Sequence, residues 1–257
     1  GNGTDSGHVR IYQNVNNIWT QVGADIDGRA AGDRSGTSVS LSSDGSVVAI
    51  GADSGWYHGN GNDSGHVRIY KNVNNTWTQV GSDIDGEASG DQSGYSVSLS
   101  SDGSVVAIGA PDNDGNGDLS GHVRVYQNVN NTWTQVGSDI DGEAASDYSG
   151  WSVSLSSDGS VVAIGAPYND GNGNDSGHVR IYKNFNNTWA QIGSDINGDY
   201  AEDDRSGLSF SLSSDGSVIA IGAPGNDGNG TDSGHVRVYQ VDTTAPPLLP
   251  AFNLSLI

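Results

Sequence analysis

Oxygen-bearing side chains at alternate positions of a glycine-rich loop are the first candidates for chemistry in this sequence. Asp112, Asp114, Asn116 and Asp118 follow one another at every second residue. A hard cation such as Ca²⁺ prefers carboxylate and carbonyl oxygens, and this order resembles the opening of an EF-hand loop. The bidentate Glu that closes such a loop is absent, because Val123 stands at the twelfth position.

Two later copies of this loop keep part of the pattern. Asn, Asp and Gly are also the residues that long turns favour, because they tolerate left-handed backbone. Calcium binding and a purely structural turn therefore both stay open, and calcium is the single cofactor that the sequence suggests. The partial sets are Asp170 with Asn172 and Asp227 with Asn229.

A second group of candidates consists of aromatic residues in loops that differ between copies. Such rings could stack on sugars or fill a pocket of a partner, since Trp and Tyr combine a large apolar face with a polar tip. The sequence predicts them as ligand-binding residues. They are Trp56, Tyr57, Tyr148, Trp151 and Tyr200.

The recurring histidine, His122 in one copy, is interpreted as structural. Copies spaced about 57 residues apart would fall on different structural units, too far apart to share an ion. On a strand, His122, Arg124 and Tyr126 share one face. We expect Arg124 to pair with an Asp of a neighbouring loop.

Catalytic motifs are not found. The sequence has no Gly-x-Ser-x-Gly, no His-Glu-x-x-His and no phosphate-binding glycine loop that opens a helix. Each copy offers the same Asp residues, which argues against a single catalytic centre, so we predict that the chain is not an enzyme. Its net charge of −21 opposes binding to nucleic acid.

These candidates are positioned by a long internal repeat. Gly-His-Val-Arg occurs five times, and the spacing between copies is 56 to 58 residues. A fixed long period indicates one supersecondary unit copied in series, which must stack into an array or a closed ring to bury its apolar face. The copies start at Gly7, Gly65, Gly121, Gly177 and Gly234.

One repeat contains four strand signals. They lie at Tyr95–Ser100, Val105–Ala110, His122–Gln127 and Thr132–Gly137, and an Asp-Gly turn joins the first two. Four short antiparallel strands in about 57 residues predict an all-β fold, a β-propeller with four-stranded blades. A β-sandwich array is the alternative. We expect Val105–Gly109 near the ring axis and Trp133 buried between blades.

The repeats bound the domains. Residues 1–241 are predicted to form the propeller and residues 242–257 a linker, with Phe252–Ile257 alternating like one more strand. Residue 1 falls inside a repeat, so we expect sequence upstream. The strand signals exceed those of a four-bladed ring by one, so the N-terminal strands either complete the last blade or belong to an arc of a larger propeller.

The repeat resembles a known family. Ser149–Leu155, Val162–Pro167, Asn169–Gly173 and Ser176–Tyr182 together look like the FG-GAP repeat, with Trp-x-Gln in the fourth strand as in one secreted subclass. That resemblance implies the β-propeller of integrin α subunits and of secreted bacterial and algal proteins. The family's calcium loop between the first two strands is replaced by a short Ser-Ser-Asp-Gly-Ser turn, so its calcium site is not carried over.

These features favour a non-enzymatic, extracellular or surface-displayed propeller for adhesion, recognition or assembly. The expected partner is a protein or glycan of the cell surface or matrix, with no nucleic acid and no membrane insertion. The alternative is a lectin-like carbohydrate-binding module that depends on calcium. A further alternative is an enzyme domain whose active residues lie outside this sequence.

Overall fold

The computed structural model describes residues 2–54, 60–199 and 202–244, and these residues form strands and turns without a helix. The described residues therefore contain no helix that is long and apolar enough to cross a bilayer. The all-β propeller predicted from the sequence is confirmed.

The strands are grouped by repeat. Before the first blade stand β1 His8–Val9, β2 Tyr12–Val15, β3 Ile18–Gln21 and β4 Ile26–Asp27. The first blade contains β5 Ser38–Leu41, β6 Val47–Ala52, β7 His66–Val73, β8 Thr76–Gln79 and β9 Ile84–Asp85. The second contains β10 Ser96–Leu99, β11 Val105–Ala110, β12 His122–Val129, β13 Thr132–Gln135 and β14 Ile140–Asp141. The third contains β15 Ser152–Leu155, β16 Val161–Ala166, β17 His178–Phe185, β18 Thr188–Gln191 and β19 Ile196–Asn197. The fourth contains β20 Ser209–Leu212, β21 Val218–Ala223 and β22 His235–Gln240.

Each complete blade is an antiparallel meander of four neighbouring strands. In the second blade the order is β10-β11-β12-β13, with Val97 opposite Ile108 and Ile108 opposite Arg124. The connection after the fourth strand, for which the sequence gives no strand signal, is not wholly irregular. It contains the two-residue strand β14, which pairs with the start of β12, so the prediction missed a fifth strand in the sheet. Two residues are too few to show a periodic pattern.

The core lies between blades rather than within one. The second strand of each complete blade is buried along its whole length, as its continuous run of apolar residues predicts. Val47 and Ala49 of the first blade pack against Val97 and Leu99 of the second in one cluster. Because each blade covers the apolar face of its neighbour, the blades stabilise one another.

The first strand, and not the second, lies at the inner edge of each blade. β10 is the end strand of its sheet and contacts both β5 and β15, the first strands of the adjacent blades. Val105–Gly109, expected near the ring axis, therefore lies one strand out from this inner edge. The full burial of β11 comes from β10 on one side and β12 on the other, together with packing between blades.

Close backbone approach explains one glycine of the Gly-Ala-Pro element. A Cβ atom at Gly109 would collide with the carbonyl oxygen of Gly150, which belongs to the next repeat. The same oxygen accepts a hydrogen bond of 2.7 Å from the Ser96 hydroxyl. Glycine at this position lets the backbones of adjacent blades meet.

The ends of the array do not join into one sheet among the described residues. β2 and β3 form a two-stranded sheet of their own, and β20, β21 and β22 form a three-stranded one. The N-terminal strands therefore do not complete the fourth blade. Of the two arrangements that the sequence left open, the described residues adopt the open arc.

Candidate functional site

Four aromatic rings from two repeats meet in loops at one edge of the blades. The ring centroid of Trp151 lies 4.7 Å from that of Tyr95, 5.5 Å from that of Tyr168 and 6.2 Å from that of Tyr148. Tyr148 and Tyr168 are 5.1 Å apart. We call these four residues the aromatic cluster. Its rings are tilted or edge-on to one another and each is half-buried, so part of every ring faces solvent.

Turns next to the first and second strands hold the cluster in place. Tyr95 and Trp151 stand just before β10 and β15, and Tyr168 follows β16. The Trp151 amide donates to the Tyr148 carbonyl at 3.1 Å, and the Tyr148 amide donates to the Leu119 carbonyl at 3.1 Å. Because rigid strands flank these turns, the rings are positioned by the scaffold and not by a free loop.

Polar groups border the cluster. The Arg205 guanidinium lies 5.5 Å from the Tyr168 ring centre, a cation–π contact. The Gln92 side-chain amide donates to the Asp112 carboxylate. Burial, followed by the nearby carboxylates of Asp114, Asp53 and Asp91, raises the pKa of Asp112. The arrangement can therefore stack on an apolar face and hydrogen-bond to its polar edge.

Two of the cluster's hydroxyls, those of Tyr95 and Tyr148, are protonated donors. Burial raises the pKa of both Tyr95 and Tyr148 above the ordinary value of 10.0. At neutral pH each phenol therefore keeps its proton and can both donate and accept a hydrogen bond.

Two of the four residues of the aromatic cluster were predicted from the sequence. Tyr148 and Trp151 were predicted as ligand-binding residues, and the structure places them together; their binding role stays a prediction. Tyr95 and Tyr168 were missed, although Tyr95 stands at the Trp151 position of the preceding copy and Tyr168 follows Gly-Ala-Pro where Asp112 does. Comparing equivalent positions across copies would have found both. The other predicted aromatics lie outside the described residues: Trp56, Tyr57 and Tyr200.

The predicted calcium loop is an ordered turn with most of its side chains engaged. The Asp114 carboxylate accepts a 2.8 Å hydrogen bond from the Leu119 amide. The Asn116 side-chain nitrogen donates to the Gly142 carbonyl at 2.8 Å. Asp112 is half-buried and bonded to Gln92, and Asp118 is exposed. The oxygens are on one loop, but these bonds are those of a turn, so calcium binding here stays a prediction.

The equivalent loops repeat these contacts. Asp170 accepts from the Asp175 amide at 2.9 Å, and Asp227 accepts from the Asp232 amide at 2.7 Å. The Asn172 side chain donates to the Gly198 carbonyl at 2.7 Å. Recurrence of the same bonds in each copy indicates that the residue pattern serves the turn, whether or not an ion also binds. Asn229 is exposed, and its backbone amide donates to Ser233.

The comparisons with known proteins agree with the repeat and the fold. Residues 138–182 match the family model described as the FG-GAP repeat. No curated protein sequence matches the chain.

The similar solved structures share architecture at low identity. A candidate 6-phosphogluconolactonase of Bacteroides uniformis ATCC 8492 has a TM-score of 0.61 at 13% identity, over 93% of this chain and 62% of that one. One of Bacteroides fragilis NCTC 9343 has a TM-score of 0.58 at 12% identity, over 93% and 62%. Hydrazine synthase of Kuenenia stuttgartiensis gives 0.51 at 14% identity, over 87% and 61%. The chain thus spans about three fifths of the length of the structures it resembles.

At this identity the likeness shows the fold alone. The matched segment begins before β14 and ends within β17, so it spans the junction between two blades. The same segment recurs along the sequence, with Gly-His-Val-Arg in every copy. The resemblance predicted from the sequence is therefore confirmed: residues 138–182 match the FG-GAP repeat, and the described residues have the β-propeller fold.

Proposed function

We propose that this propeller is a non-enzymatic recognition module of an extracellular or cell-surface protein, used in adhesion or assembly. The observation that carries the proposal is the aromatic cluster. Trp, Tyr and Arg are the side chains that contribute most to binding at protein surfaces, and here they stand on a rigid scaffold. The family match supports the location, because FG-GAP repeats are typical of extracellular proteins.

The same cluster also suits a carbohydrate partner. Trp151 and Tyr148 each present part of a ring, and the Asp112 carboxylate and Arg205 guanidinium lie at the border. An apolar ring face suits the C–H face of a sugar, and the flanking charged groups suit its hydroxyls. Glycan binding is accordingly the second candidate, a particular case of recognition at the same place.

A binding screen with one substitution tests both candidates. The chain is presented to a glycan array and to a panel of matrix proteins, with calcium and with a chelator. We expect the Trp151→Ala variant to lose more than about tenfold in affinity for the ligand found, the usual size of a central aromatic contact. Trp19→Ala is the matched control, because Trp19 is an exposed tryptophan that lies far from Trp151 in the sequence.

The outcomes separate the candidates. Glycan binding that needs Trp151 supports the lectin function, and matrix-protein binding that needs Trp151 supports adhesion. If a ligand is found and Trp151→Ala and Trp19→Ala bind it equally well, the aromatic cluster is packing and the proposal for this site fails.

A further inference from the structure

A buried histidine faces two carboxylates at each of two junctions between blades. In the first group His122 opens β12, Asp139 precedes β14 of the same blade, and Glu87 lies on the connection that leaves the preceding blade. The second group repeats it with Glu143, His178 and Asp195. In both groups the ligand atoms lie within 4.8 Å of one another.

The imidazole between these carboxylates has no hydrogen-bond partner in the second group. The side chain of His178 is 1% exposed, and neither ring nitrogen forms a hydrogen bond. Its Nδ1 lies 4.0 Å from Glu143 Oε2. In the first group Nδ1 of His122 lies 4.0 Å from Glu87 Oε2 and 3.8 Å from Asp139 Oδ2. These separations are too long for hydrogen bonds, so the nitrogen and oxygens surround a gap.

In the first group, neighbouring side chains bind the carboxylate oxygens of Glu87 and Asp139 that do not face His122. Arg124 lies 3.4 Å from Glu87 Oε1, and the Gln135 amide donates to Asp139 Oδ1 at 2.5 Å. The remaining oxygens, Glu87 Oε2 and Asp139 Oδ2, turn toward His122. Outer partners that hold one oxygen and leave the other free are typical of the shell around metal ligands.

The second group has the same outer partners. Arg180 lies 3.5 Å from Glu143 Oε1, and the Gln191 amide donates to Asp195 Oδ1 at 2.6 Å. Two copies with the same residue types and the same outer partners indicate that the arrangement belongs to the repeat.

The first junction of the chain supplies an internal comparison. There His66 is buried in the same way, but Arg29 stands where the other copies have Glu. The Arg29 guanidinium pairs with Asp83, the equivalent of Asp139, at 2.5 Å. The Arg29 guanidinium thus neutralises Asp83 at this junction. Each of the other two junctions has a glutamate carboxylate in place of Arg29.

We propose that each of these two junctions binds a divalent transition-metal ion of the zinc class through one imidazole nitrogen and two carboxylate oxygens. Zinc binds imidazole nitrogen and carboxylate oxygen at about 2.0–2.2 Å, which places tetrahedral ligand atoms about 3.3 Å apart. The carboxylates are partly exposed, since Glu87 is 48% and Asp139 28% exposed, so their side chains can close by about 0.5–1.5 Å, as zinc ligation requires, and leave a position for water. The ion would link the strands of one blade to the connection from the blade before it.

The proposal is tested by titrating the metal-free chain with zinc in the presence of excess calcium. Calorimetry measures the binding. The excess calcium competes for non-specific binding to the acidic surface. Under these conditions we expect two zinc ions to bind per chain, one for each group. Glu87→Arg and Glu143→Arg each copy the native Arg29 arrangement, so the fold has a precedent for them in the chain itself. Each single variant should lose more than about tenfold in zinc affinity at its own site and keep the other site, and the double variant should lose this affinity at both sites.

The matched control is Glu202→Arg, which makes the same charge change at the third Glu of the sequence. It should bind zinc as the parent does. If Glu87→Arg proves unstable, Glu87→Gln replaces it. The proposal is overturned if the parent binds no zinc, a result that would assign the space between the three side chains to water. It is also overturned if Glu202→Arg weakens zinc binding as much as Glu87→Arg does.

Discussion

A tryptophan at one position of each copy ties a blade to the repeat before it. The indole N–H of Trp133 donates to the Val80 carbonyl at 2.8 Å, and its ring packs on the core cluster between the first two blades. Trp77 and Trp189 make the same bond to Val22 and Val136. The sequence predicts this tryptophan between blades, and the structure places it there, half-buried rather than fully enclosed.

Removing this side chain should destabilise the protein. For Trp133→Ala we expect a loss of about 2–4 kcal/mol in the free energy of unfolding. This loss is somewhat smaller than for a fully enclosed aromatic residue, because the ring of Trp133 is half-buried. Urea denaturation measures it. Trp19→Ala is the matched control: Trp19 is 67% exposed, and its loss should cost less than about 0.5 kcal/mol. Equal costs would contradict the role of Trp133 at the junction.

Calcium at the Asp112–Asp118 loop is tested by changing ligands while keeping the turn. In Asp114→Asn with Asp118→Asn, the Asn oxygen can still accept from the Leu119 amide, but two negative ligands are lost. If the loop binds calcium, we expect the ion to raise the melting temperature less in this variant than in the parent. An equal rise in both would assign the effect to the overall charge of −21 and the loop to a turn.

At the scale of elements, the hairpin between the first two strands depends on one aspartate. Asp102 Oδ1 accepts hydrogen bonds from the Ser104 amide at 2.9 Å and from the Ser100 hydroxyl at 2.8 Å. Gly103 follows in left-handed backbone with φ of 71°. The same turn recurs at Asp44 and Asp215. The short Ser-Ser-Asp-Gly-Ser segment is thus a capped turn.

These turns should make stability fall in acid. Hydrogen bonds from the Ser46 amide and the Ser42 hydroxyl lower the pKa of Asp44 to about 2, and those from the Ser213 hydroxyl and the Ser217 amide lower that of Asp215 to about 2. A carboxylate whose pKa is lower in the folded state stabilises the fold above its unfolded value of 3.8. That contribution disappears as pH falls from about 4 to about 2.

Denaturation at several pH values checks this expectation. Asp44→Asn with Asp215→Asn should flatten the dependence of unfolding free energy on pH within that window, since the substituted turns no longer take up a proton. Asp5→Asn, outside these turns, serves as the control. An unchanged slope in the double variant would show that other carboxylates govern acid unfolding.

At the scale of the whole molecule, two blade faces are uncovered among the described residues. Leu41 is 49% exposed, whereas its equivalent Leu99 is 7% exposed because the second strand of the preceding blade covers it. At the other end Val238 is 67% exposed, whereas its equivalent Val125 is 1% exposed. Because the repeats are nearly identical, one open face is the complement of the other.

A chain with these two open faces should therefore associate head to tail. Two complementary apolar faces on opposite ends form heterologous contacts, which close into rings or extend into filaments. Sedimentation equilibrium should show a mass that rises with concentration, and Val236→Ser with Val238→Ser should return the chain to a monomer. Val129→Ser, an exposed valine of β12, is the control. A parent that stays monomeric at all concentrations would contradict this.

Much of the fold can be read from sequence because its signals are local. Alternation in Ser96–Leu99, the apolar run Val105–Ala110 and the Asp-Gly turn between them each act over a few residues, and copying the unit leaves few architectures that bury it. The two-residue strand β14 was missed because so short a segment has no period, and it forms through pairing with β12.

Which side chains meet was decided by the stacking of the blades. Tyr95 beside the second blade meets Trp151 beside the third, and His178 lies between Glu143 and Asp195 from opposite directions along the chain. No periodic pattern specifies such distances, because they depend on how far each blade is rotated against the next. The sequence by itself determined the strands, the turns and the repeat, whose causes are local. The tertiary structure decided the inner strand, the aromatic cluster and the carboxylate–histidine groups, because these arise where one copy packs on another.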